Sequence, residues 1–175
     1  MKFKLLLLAT CVAALRCSAQ TTSGPITIDG QSGTVIQNLH ITSTTGDCLT
    51  INNSTNITIE NSEIGPCGAP DGSGTGNGIS ISGSNGVYVY DNYIHPETMN
   101  TGCCDTRDGI FGSGGNQNIL IQGNVIAYGE TNIEFNGGTN SNVAVIGNFL
   151  LNPRGPADPR GQNFQCWGLM PRMRA

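Results

Sequence analysis

The sequence predicts an all-β chain wound into a parallel solenoid of about five coils. Three observations carry that prediction. Glycine (25 of 175 residues) and asparagine (19) are abundant, and both are poor helix formers. Apolar residues alternate at i, i+2 and never hold the helical period. Above all, one pattern recurs along the chain, at residues 34–41, 57–64, 87–94, 119–126 and 143–150. Each copy follows a short partner strand: Ile26/Ile28, Leu49/Ile51, Ile79/Ile81, Ile110/Gly112 and Ile133/Phe135. Of the 25 core positions so defined, 23 are apolar, with Thr34 and Gly112 the exceptions. At 37% hydrophobic composition, roughly nine would be expected by chance. Strands this short, broken by Gly and Asn turns, can wind so that like residues stack ~4.8 Å apart.

The elements follow in order. Lys2 and Lys4 precede an apolar run, and Cys17-Ser18-Ala19 fits a small-x-small cleavage site. Residues 1–19 therefore read as a signal peptide cleaved after Ala19, which makes the protein secreted or periplasmic. The run is too short to span a bilayer, and no later segment is apolar enough to do so. The solenoid domain is expected over 20–152, with coils at 24–46, 47–76, 77–107, 108–130 and 131–153. Asn92, Asn124 and Asn148 fall in one turn column, where Asn tolerates the left-handed conformation and hydrogen-bonds to its neighbours above and below. The second and third coils carry insertions at 65–76 and 95–107, which leave the solenoid at the same corner and so lie side by side. Residues 153–175 form a Pro- and Arg-rich tail holding the only Trp. It is either a cap or a truncated next coil, and 162–167 reads like the start of that coil.

All lysines lie in the leader, so the remainder carries five arginines against twelve acids, a formal charge of −7. That excludes a basic nucleic-acid-binding face. Five cysteines remain beyond the leader, and no Cys or His spacing specifies zinc. Since Cys67 and the Cys103/Cys104 pair sit in the adjacent insertions, a Cys67–Cys103 or Cys67–Cys104 bridge is expected, with Cys48–Cys67 as the competing pairing.

The stacked rungs, of the type Asn-Ile-Thr-Ile-Glu-Asn at 56–61, resemble those of the right-handed parallel β-helix proteins, the superfamily of pectate lyases and polygalacturonases. The resemblance covers residues 24 to about 152 and implies a right-handed parallel β-helix. Locally, GDCLTINNSTNITIEN (46–61) followed by NGISISGS (77–84) is similar to a polygalacturonase stretch. Asp47 falls on the second aspartate of that family's pair, but Gly46 replaces the first and Asn77 replaces its histidine. No Asn-Thr-Asp rung precedes and no Arg-x-Lys follows, so that family's hydrolytic set is not carried over.

Candidate chemistry sits beside the insertions. Asp47, Asn77, Asp108 and Thr131 form a column just before each first strand, expected to face solvent as an acidic ladder. Asp47 and Asp108 are two rungs apart, roughly 9.6 Å, near the ~6.5–9.5 Å at which two carboxyls can invert a glycoside. Asp47, Asp108 and Glu134 are therefore the candidate catalytic acids, and Asn77, His95, Arg107 and Phe111 the candidate substrate-binding residues. Tyr88 and Tyr90 form an exposed aromatic pair on a separate face. No cofactor is specified; Ca²⁺ would need clustered acids that the sequence does not display. Two functions follow as expectations. One is a carbohydrate-associated exported protein that binds or degrades extracellular polysaccharide, as a hydrolase or lyase if it is an enzyme. The other is a non-catalytic surface, binding or structural module.

Overall fold

A computed structural model describes residues 20–69, 76–97, 107–153, 161–166 and 173–174. Every element in these residues is a strand, and each coil contributes three. After a leading β1 (Thr21–Ser23), the first coil holds β2 (Ile26–Asp29), β3 (Val35–Gln37) and β4 (Leu39–Ile41). The second holds β5 (Leu49–Asn52), β6 (Thr55–Glu60) and β7 (Glu63–Ile64); the third, β8 (Ile79–Ser82), β9 (Asn85–Tyr90) and β10 (Tyr93–Ile94). The fourth holds β11 (Ile110–Ser113), β12 (Gln117–Gln122) and β13 (Val125–Ala127); the fifth, β14 (Thr131–Phe135), β15 (Ser141–Ile146) and β16 (Phe149–Leu151). Beyond them β17 (Gln162–Cys166) and β18 (Met173–Arg174) pair in parallel on β14 and β15. Within the 162–167 segment, expected to open a further coil, Gln162–Cys166 is the strand that pairs on β14.

The strands stack into three parallel sheets of six: sheet A from β1 to β16, sheet B from β2 to β17, and sheet C from β3 to β18. Registers match the sequence columns. Ile36, Ile59, Val89, Ile121 and Val145 are successive partners in sheet C. Ile26, Leu49, Ile79, Ile110, Ile133 and Phe164 are successive partners in sheet B. The inward residues form one continuous core in which Ile41, Ile51, Ile59, Ile79, Ile94 and Ile121 are fully buried. Burial of this kind contributes about 1.5–3 kcal/mol per large apolar side chain. Gly112 interrupts its column for a packing reason. A Cβ there would lie 2.3 Å from the Phe135 ring, which occupies that space.

Polar side chains bind the three corners to neighbouring coils. Between sheets C and A, the Ser62, Asn92 and Asn124 amides donate to Asn92 Oδ1, Asn124 Oδ1 and Asn148 Oδ1 at 3.0, 2.9 and 2.9 Å. Between sheets B and C, the Ser54 amide donates to Ser84 Oγ, the Ser84 amide to Asn116 Oδ1 and the Asn116 amide to Asn140 Oδ1. A third ladder holds the corner between sheets A and B, where the candidate acids lie. These bonds satisfy turn amides that the sheets leave unpaired.

Candidate functional site

At the third corner, Asp47 Oδ1 accepts the Asn77 backbone amide at 2.8 Å, Asn77 Oδ1 accepts that of Asp108 at 2.8 Å, and Asp108 Oδ1 accepts that of Thr131 at 3.0 Å. Asp47 is half-buried, whereas Asn77, Asp108 and Thr131 are buried. The expected solvent-facing ladder is thus corrected: three of its four members turn toward the backbone. A residue just before a strand faces the first unpaired amide of the next coil, and a short Asx side chain reaches it.

The insertions leave from this corner, and their described bases touch. The Cys67 amide donates to Pro96 O at 2.8 Å, and Arg107 donates from Nη1 to Cys67 O at 3.0 Å and from Nη2 to Ala69 O at 2.7 Å. Arg107 was expected to meet substrate, but it is 3% exposed and fastens one insertion to the other. Its guanidinium packs over Gly68, where a Cβ would approach it to 3.0 Å. Cys67 is bonded to Cys48, with Cα atoms 5.4 Å apart. This corrects the expected bridge from Cys67 to Cys103 or Cys104, both of which lie outside the described residues. The cause is helical closure. Cys48 opens the second coil and Cys67 follows its last strand, so one turn of the solenoid returns Cys67 beside Cys48. Cys166 is a free thiol whose pKa is raised by burial.

His95 lies on the outer side of sheet A beside Glu63, His40 and Tyr93. Its Nε2 is 3.1 Å from Glu63 Oε1, and His40 Nε2 is 3.8 Å from the same oxygen. The His95 ring stacks on Tyr93 with centroids 4.4 Å apart. The Tyr93 phenol is raised in pKa, by burial first and then by Tyr128 and Glu63. A usable signal existed. The core register of Ile41, Ile64 and Ile94 places the residues just before them, His40, Glu63 and Tyr93, in one outward column.

Sheet B presents an outward column that is polar except at one rung. Thr27, Thr50, Ser80, Phe111, Glu134 and Gln165 are successive register partners on outward positions. Phe111 and Glu134 are half-buried there, and Glu134 Oε1 accepts Asn136 Nδ2 at 3.0 Å. Hydroxyls and amides offer donors and acceptors in both directions, Phe111 offers an apolar plate, and Glu134 offers one charge. On sheet C, Tyr88 and Tyr90 are half-buried, with ring centroids 6.1 Å apart and planes 14° apart. Burial first, and then Tyr88, raises the Tyr90 pKa.

Among the described residues, no group of three or more His, Cys, Asp or Glu side chains is placed to hold a metal ion. No helix among them is long and apolar enough to cross a membrane. A family model described as the right-handed β-helix region matches residues 24–154. No curated protein and no solved structure matches the chain.

Proposed function

Given that the chain belongs to the right-handed β-helix family, we propose that it is an exported, carbohydrate-associated solenoid that lays a polysaccharide along the outer face of sheet B. The observation that carries this reading is the outward column Thr27–Thr50–Ser80–Phe111–Glu134–Gln165, continuous over six rungs beside two insertions. Successive rungs offer hydroxyl, aromatic and carboxylate groups at the ~4.8 Å strand spacing, a repeated set suited to a polymer of hydroxylated rings. Export is supported by the leader at 1–19 and by a disulfide joining Cys48 to Cys67.

The column holds a single acid, which favours binding over turnover. Asp47 and Asp108 each spend one carboxylate oxygen on a backbone amide. The test is affinity electrophoresis of the mature protein against neutral and uronic-acid polysaccharides, with reducing ends and unsaturated products measured in the same samples. Retardation that falls about tenfold in Phe111→Ala, the scale of a lost aromatic contact, supports the reading. Migration unaffected by every polysaccharide refutes it and leaves the structural-module alternative. Should products form, Asp47→Asn and Asp108→Asn decide whether the two carboxylates catalyse, because each amide still accepts the ladder bond.

A further inference from the structure

We infer a second saccharide site, distinct from the sheet B strip, in a surface groove on sheet C that takes an uncharged pyranose unit. The groove has a volume of about 320 Å³ and is lined by Tyr88, Asn118, Ile119, Leu120, Asn142 and Ala144. That is at the lower end of the ~300–1,000 Å³ typical of small-molecule sites, a size suited to one or two sugar rings. Tyr88, Leu120 and Ala144 are successive outward partners on β9, β12 and β15, so one wall is apolar and headed by an aromatic ring.

The other wall is a rail of exposed amides. Asn118 Nδ2 donates to Asn85 Oδ1 at 2.8 Å, and Asn142 Nδ2 donates to Asn118 Oδ1. Each amide nitrogen carries two hydrogens, so one N–H of each holds the rail rigid and the second is available to a ligand hydroxyl. The third coil supplies Gly86 where its neighbours supply Asn56 and Asn118, and its backbone is left-handed at φ 74°. With no side chain at Gly86, the Tyr88 ring lies back along the strand, its hydroxyl 3.6 Å from where a Cβ would stand. Tyr90 stacks on Tyr88 from behind and fixes the plane. An aromatic face opposite a rigid row of amide donors matches a sugar ring, which offers an apolar C–H face and a rim of hydroxyls. None of the six lining side chains is charged, and this argues for a neutral glycan over a uronate.

Calorimetric titration of the mature protein with cello-, xylo- and chito-oligosaccharides, beside oligogalacturonate, tests the site. The expected result is binding of a neutral oligosaccharide that weakens about tenfold in Tyr88→Ala and in Asn118→Ala, persists in Tyr88→Phe, and is unchanged in Phe149→Ser, an exposed position on sheet A outside both faces. Circular dichroism of each variant verifies that the fold is retained. Binding of oligogalacturonate alone, no binding of any neutral oligosaccharide, or neutral binding unchanged by Tyr88→Ala overturns the inference. Loss of binding only in Phe111→Ala also overturns it, while leaving the sheet B reading standing.

Discussion

Replacing Asn124 by alanine tests whether the turn ladders hold the coils together. Asn124 is fully buried. Its Nδ2 donates to Val89 O at 2.9 Å and to Asn148 Oδ1 at 2.9 Å, and its Oδ1 accepts the Asn92 amide at 2.9 Å and Asn92 Nδ2 at 3.0 Å. Asn92 is itself only 3% exposed, so truncation strands its backbone N–H away from water and removes a donor from Val89 O. At ~1–3 kcal/mol for each stranded buried group, the expected loss is about 4 kcal/mol, a large part of a typical ~5–15 kcal/mol stability. Asn124→Ser should recover part of it, because Ser62 fills the equivalent position two coils earlier and accepts the Leu39 amide through Oγ at 3.2 Å. Asn148→Ala should cost less, since Asn148 is half-exposed and water can replace the lost partner. Equilibrium urea unfolding of the three variants, compared by midpoint at constant slope, gives the ranking. A loss below about 1 kcal/mol for Asn124→Ala, or a larger loss for Asn148→Ala, would refute the reasoning.

Ile59→Asp places an unpaired charge between Ile36 and Val89 in the sealed core and should leave no folded protein by circular dichroism; a wild-type melt would disprove the register. Non-reducing peptide mapping should recover Cys48 joined to Cys67. Reducing that bridge should cost about 3 kcal/mol, the chain-entropy value for closing a loop of this length, and an unchanged urea midpoint would contradict it. Cys166 should alkylate in the native protein, with a rate that keeps rising above the pH at which a free cysteine levels off, because burial raises its thiol pKa. A rate profile matching that of free cysteine would oppose this. Asp47→Asn should unfold like the wild type, since the amide oxygen still accepts the Asn77 amide, whereas Asp47→Ala should lose about 1 kcal/mol; equal loss in both would show that the charge matters to the fold.

How far the sequence discloses this structure depends on whether a residue's position follows from the strand period. Ile59, Val89 and Ile121 announce themselves because period-2 alternation and a recurring spacing fix both face and rung. The same logic found the hydrogen-bonded ladder of Asn92, Asn124 and Asn148, although the left-handed residues of that corner are the ones just before it, Asn61, Asp91, Gly123 and Gly147; of residues 162–167, Gln162–Cys166 pairs with β14. Phe135 over Gly112 was not visible, because which large ring fills a neighbour's vacancy depends on side-chain direction. The disulfide went astray for a related reason. Helical closure brings the end of a coil back to its beginning, and this placed Cys67 nearer to Cys48 than shared membership of adjacent insertions suggested. Arg107 is a candidate substrate-binding residue in the sequence because its place at the end of an insertion says nothing about burial, whereas the fold draws its guanidinium onto the Cys67 and Ala69 carbonyls.

The acids illustrate a division of labour that the fold imposes on its own residues. In a parallel solenoid, every corner interrupts the sheet ladder and leaves amides that only a side chain from an adjacent coil can reach, so Asp, Asn and Ser accumulate at corners whatever the protein does. Asp47 and Asp108 belong to that class, and their spacing follows from the coil repeat. Residues at outward strand positions answer to no such demand. Their backbones are already paired within the sheet, and a Thr, Gln or Tyr there has no partner that the architecture requires. Chemistry that the fold does not consume is therefore found on the strand faces: Phe111 and Glu134 on sheet B, Tyr88 on sheet C, and His95 with Glu63 beside sheet A, while the Asn118–Asn142 rail is shared, one N–H of each bonding coil to coil. Substitutions can separate the two classes. At corners, Asp→Asn should be tolerated and Asp→Ala should destabilise. On the faces, Phe111→Ala and Tyr88→Ala should leave the urea midpoint nearly unchanged while altering glycan binding, because surface substitutions away from such networks usually stay within ~0.5 kcal/mol. Destabilisation at Phe111 or Tyr88 comparable to that at Asn124 would assign those rings to the fold and remove them as binding groups.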